Sequence, residues 1–106
     1  MEEKQKLLEE FQAYQQQLQN ILIQKEALQL QKAEQQKALE ELESTKQSFA
    51  YKIVGSVMIS KEVQKLKQEL QETGENLEVR IKTLERAEER ISNKLKELQS
   101  KIRELK

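Results

Sequence analysis

The sequence predicts a mainly α-helical chain in which two long helices pair antiparallel as a coiled coil and are joined by a short β-hairpin. Three observations carry this. Two long stretches repeat apolar residues at seven-residue spacing. Those stretches contain no proline and a single glycine between them. The segment that separates them, Phe49 to Ser60, changes abruptly to β-branched and aromatic residues around Gly55-Ser56.

Composition narrows the class further. Of 106 residues, 36% are hydrophobic and 36% charged, with two glycines and no proline. A domain built around one compact core uses more apolar and more turn residues. Disordered chains of similar charge tend to be rich in Pro, Gly and Ser and to lack periodicity. Here Gln, Glu, Lys and Leu dominate, all good helix formers.

Several chemistries are excluded. Without cysteine there is no disulfide, thiolate nucleophile or cysteine-based metal site. Without histidine the chain lacks the side chain best suited to proton transfer near neutral pH. The carboxylates alternate with Lys and Arg along the helical stretches, the pattern of a solvated, salt-bridged surface rather than a catalytic pair. No enzyme activity, cofactor or metal is expected. No apolar run approaches the roughly 20 residues of a membrane span, and no signal-peptide pattern opens the chain. Both charge signs are interleaved with a formal net charge of +0, so no nucleic-acid footprint is present. The expected location is the cytoplasm.

The first helix is expected within residues 1–47, from about Glu3 to Lys46. One seam carries Phe11, Leu18, Lys25, Lys32 and Leu39, and the other Leu7, Tyr14, Ile21, Leu28, Gln35 and Leu42. Its ends are apolar and its middle is polar, which makes an amphipathic helix with a weak waist. The hairpin is assigned to residues 48–60, with strands Tyr51 to Val54 and Val57 to Ser60. Glycine accepts the positive φ that a type II′ turn requires at its first central position, which suits Gly55. Ser60 is then placed to cap the second helix, with Glu62 in its first turn.

The second helix is expected across residues 61–106. One seam is Val63, Leu70, Leu77, Leu84, Ile91, Leu98 and Leu105, and the other Lys67, Gly74, Ile81, Glu88, Leu95 and Ile102. Repeats sustained over this length indicate a coiled coil. Gly74 costs the helix about 1 kcal/mol relative to alanine. It is read as a local bend or as a tolerated, surface-like position opposite Gln35.

Each helix is about 44 residues, or roughly 66 Å at 1.5 Å per residue. In one antiparallel register Phe11 meets Leu98, Leu18 meets Ile91 and Leu39 meets Leu70. In the alternate layers Leu7 meets Ile102, Tyr14 meets Leu95 and Leu28 meets Ile81. The centre of that register falls beside the expected turn. Residues 1–47 carry an acidic excess of about three and residues 77–106 a similar basic excess, which favours this pairing modestly.

An isolated two-stranded hairpin is marginal in water. This one is apolar on both faces, with Phe49, Tyr51 and Ile53 on one and Val54, Val57 and Ile59 on the other. The chain has no further strands to cover them, so other subunits are expected to do so.

The segment Tyr51-Lys-Ile-Val-Gly55 followed by Val57-Met-Ile resembles the β-type subunits of prefoldin. So does Leu77-Glu-Val-Arg-Ile-Lys-Thr-Leu-Glu-Arg86 with Glu88-Glu-Arg90. The helix–hairpin–helix plan covers essentially the whole chain, and one hairpin per chain fits the β type, since α-type subunits carry two. The stretch between Gly55 and the second helix reads as a few residues shorter than is usual in the family, which implies an abbreviated second strand or following loop.

The resemblance implies a hexamer of two α-type and four β-type chains whose hairpins close into β-barrels. Tyr51, Ile53, Val54, Gly55, Val57, Met58 and Ile59 are the oligomerisation element. The coiled-coil tips would hold unfolded proteins without ATP and pass them to a group II chaperonin. The candidate client-binding residues are Leu7, Leu8, Phe11, Leu98, Ile102 and Leu105, where a two-helix pair cannot fully bury its seam. The other readings are a structural spacer or tether, which leaves the apolar strands without a role, and an RNA-binding helical arm, which the missing basic stripe opposes.

Overall fold

The computed structural model describes residues 2–105. Helix α1 spans Glu2–Ser44, strand β1 Phe49–Val54, strand β2 Val57–Glu62 and helix α2 Val63–Glu104. They fall into two units, Met1–Leu28 with Arg80–Lys106, and Gln29–Val79. In the first, Lys25 of α1 meets Glu88 of α2. In the second, Lys32 pairs with Glu78 and Gln35 reaches Leu70, so the two stretches of helix run antiparallel.

The heptads set what is covered. Along α1, the seam positions Leu7, Phe11, Tyr14, Leu18, Ile21, Lys25, Leu28, Lys32, Gln35, Leu39 and Leu42 are the residues withdrawn from solvent; the others are exposed. Along α2, the seam positions from Val63 to Ile102 are buried or half-buried, and Leu105 is exposed. Leu66 is buried as well, although it lies off the seam. It sits one turn into α2 and lines the groove beside β1.

The polar waist is packed rather than merely tolerated. Gln35 is only 8% exposed, and its Nε2 donates a 2.8 Å hydrogen bond to the carbonyl of Leu70. Of the two readings of Gly74 offered by the sequence, the surface-like one does not hold. A Cβ built there would lie 2.7 Å from Gln35 Nε2, so the missing side chain is the space that the Gln35 amide fills. The register expected from sequence, with Gln35 opposite Gly74, is present in this layer.

Gly55 has φ +62°, and no non-glycine residue among those described has a positive φ. A positive φ at the first central residue alone identifies the type II′ turn and excludes type I′. Val54 pairs with Val57, and the ladder continues through Ile53–Met58, Lys52–Ile59, Tyr51–Ser60 and Ala50–Lys61 to Phe49–Glu62.

The hairpin is therefore longer than expected. β2 is as long as β1, no loop residue separates it from α2, and Ser60 lies inside it rather than capping α2. Glu62 is the last strand residue rather than part of the first helical turn. Once β1 starts at Phe49, the turn fixes Glu62 as its partner. Staying in the ladder satisfies backbone groups that an earlier helix start would leave without partners. Val63 N–H closes the sequence by donating to the Ser48 carbonyl at 2.9 Å.

At the other junction, α1 stops at Ser44, short of Lys46. Ser44 Oγ donates to the Glu41 carbonyl at 3.0 Å, and Thr45 Oγ1 accepts from Gln47 N–H at 3.3 Å. Such local side-chain bonds compete with the helical ladder.

Candidate functional site: the hairpin faces and the helix ends

The ladder register sorts the strand side chains into the two faces expected from sequence. Phe49, Tyr51, Ile53 and Met58 share one, and Val54, Val57 and Ile59 the other. All seven are exposed, from 43% at Ile59 to 71% at Ile53. The sheet has two strands, so each presents an edge. Apolar faces and open edges together make a template for further strands. Beneath β1, an open groove is lined by Ala38, Leu42, Phe49, Tyr51, Leu66 and Leu70. The helix-facing half of this groove was not expected, since Ala38 and Leu66 lie off the heptad seams.

One carboxylate ties the hairpin to α2. Glu69 accepts from Lys61 of β2 and, at 3.3 Å, from Lys52 of β1. The Lys61 and Lys52 ammonium groups hold its carboxyl below the usual carboxylate range. A depressed folded-state pKa gives a contribution that is present above the ordinary carboxylate pKa and lost as pH falls through the lowered one. Corrected for the intrinsic slowing of amide exchange in acid, hydrogen exchange in β1 and β2 should therefore be faster below about pH 4 than at neutral pH. Glu69→Gln should show the faster exchange already at neutral pH and lose that acid-dependent step.

At the other unit's helix ends, the six candidate tip residues differ in exposure. Leu98 is 1% exposed and Leu7, Phe11 and Ile102 are half-buried, while Leu8 at 38% and Leu105 at 40% are open. No helix among the described residues is long and apolar enough to cross a membrane.

This arrangement of helix, type II′ hairpin and helix has close counterparts. The family described as prefoldin subunit matches residues 5–106. The chain belongs to the prefoldin family. It is 43% identical over 99 residues to prefoldin subunit beta of Thermococcus onnurineus, covering 92% of this chain and 85% of that one. It is 34% identical over 102 residues to prefoldin subunit beta of Archaeoglobus fulgidus, covering 95% and 88%. The crystal structure of the prefoldin beta subunit from Thermococcus strain KS-1 superimposes with a TM-score of 0.90 at 40% identity, over 97% of this chain and 91% of that one. The β-type resemblance read from Tyr51–Gly55 and Leu77–Arg90 thus extends over 92% of the chain in sequence and 97% in structure. Prefoldin subunits are chaperones rather than enzymes.

Proposed function

We propose that this chain is a subunit of an ATP-independent holdase, a hexamer of two α-type and four β-type prefoldin chains acting in the cytoplasm. Its hairpin joins those of neighbouring subunits in β-barrels. Its helix ends hold unfolded proteins and pass them to a group II chaperonin. The observation that carries this reading is the pair of apolar faces on a two-stranded sheet, at the turn of a chain that matches prefoldin β subunits along its length.

The client surface is assigned to the open side chains Leu8 and Leu105, together with half-buried Leu7, Phe11 and Ile102, which fraying of the last turns uncovers. Leu98 supports them from beneath. The test is suppression of aggregation of a chemically denatured protein by the assembled hexamer. Leu8→Ser, Ile102→Ser and Leu105→Ser together should abolish most of it while the native mass is unchanged. Full suppression by an intact hexamer carrying all three would overturn the tip assignment.

A further inference from the structure

The waist of the helix pair bears on which helix pairs with which. From Val63 to Leu98, α2 presents apolar residues at strict seven-residue spacing, a seam that a second copy of α2 could match. The apolar ends of α1 are equally undiscriminating. Hydrophobic burial is non-directional, so these seams alone do not distinguish an α1–α2 pair from α1–α1 or α2–α2.

Three polar contacts do. Lys25 Nζ donates to Glu88 Oε1 at 2.9 Å, and Lys32 pairs with Glu78. Gln35 Nε2 donates to the Leu70 carbonyl at 2.8 Å, with its amide in the space that Gly74 leaves. Each contact joins unlike helices, and none survives like-with-like pairing. In a parallel α1–α1 pair Lys25 faces Lys25, Lys32 faces Lys32 and Gln35 faces Gln35. In a parallel α2–α2 pair Glu88 faces Glu88, and Gly74 faces Gly74 across a gap.

We propose that Lys25, Lys32 and Gln35, matched to Glu88, Glu78 and Gly74, are the specificity determinants that restrict α1 to pairing with α2. They disfavour the pairing of like helices when other copies are close by. Polar residues at seam positions fix partner and register at a cost in stability, and here the cost is contained because each has a partner across the seam.

The chain has no cysteine, so Ile21→Cys places a single thiol in the α1 seam. Under mild oxidation the full-length chain with this substitution should remain largely unlinked. Adding Lys25→Leu, Lys32→Leu and Gln35→Leu should raise the disulfide-linked dimer about tenfold, with helix content retained by circular dichroism. Exchanging the charges instead, with Lys25→Glu and Glu88→Lys on the Ile21→Cys chain, preserves the unlike pairing and should leave the chain unlinked. The proposal is overturned if the apolar-waist chain gives no more linked dimer than the native waist, or if the exchanged chain links as readily as the apolar one.

Discussion

Replacing Leu98 by alanine should destabilise the helix ends by about 2–5 kcal/mol, the usual cost of a fully buried leucine. A two-helix pair has little interior, yet this side chain is 1% exposed. Among the described residues, only Leu28, Ile81 and Ile91 join it as buried apolar residues in its unit, so one of four is removed. The cavity cannot be refilled from a second layer of structure. Amide hydrogen exchange across residues 91–104 should accelerate strongly. Leu105→Ala, at a side chain 40% exposed, should change stability by no more than about 0.5 kcal/mol. Unchanged protection in Leu98→Ala would mean that the helix ends do not rely on this layer. Reduced client capture with unchanged protection would make Leu98 a contact rather than a support.

The contrast between Leu98 and Leu105 marks what the heptads could and could not show. Spacing placed both on one seam, and in the structure the seam is the covered stripe of each helix. Spacing carries no measure of how far the partner helix covers each layer, so the fully covered leucine and the open one looked alike. The same limit hid how the Gln35–Gly74 layer packs. Scored by hydropathy, a glutamine and a glycine both weaken a seam; their fit depends on shape and on the Leu70 carbonyl, which hydropathy does not contain.

The hairpin was legible in its turn and its faces because glycine, alternation and β-branched residues have strong local preferences. Its length was not, because Ser60 and Glu62 resemble a helix start while the ladder from Phe49 holds them in a strand. The non-local pairing prevailed over the local signal. Glu69 was invisible as the hairpin's anchor for a related reason: it lies on α2 among many carboxylates, and only the fold brings it to Lys52 and Lys61.

Changing Ile53 and Val57 to lysine together should abolish assembly while leaving the chain folded. The two residues lie on opposite faces of the sheet, so the pair of charges spoils both apolar surfaces at once. Both side chains are already exposed in the chain by itself, and substitutions at such positions usually alter stability by within about 0.5 kcal/mol. Packed against further strands, the same lysines would have to leave water without a partner charge, which costs far more. Lysine on an edge strand is also a common natural block to strand addition. Gly55 is untouched, so the type II′ turn and the ladder from Phe49–Glu62 to Val54–Val57 should persist. Native mass measured in the presence of an α-type partner should fall from that of the proposed hexamer to that of single chains, with helix content unchanged. A full-mass hexamer carrying both lysines would show that the subunits are held together elsewhere, and the apolar faces would then need another occupant.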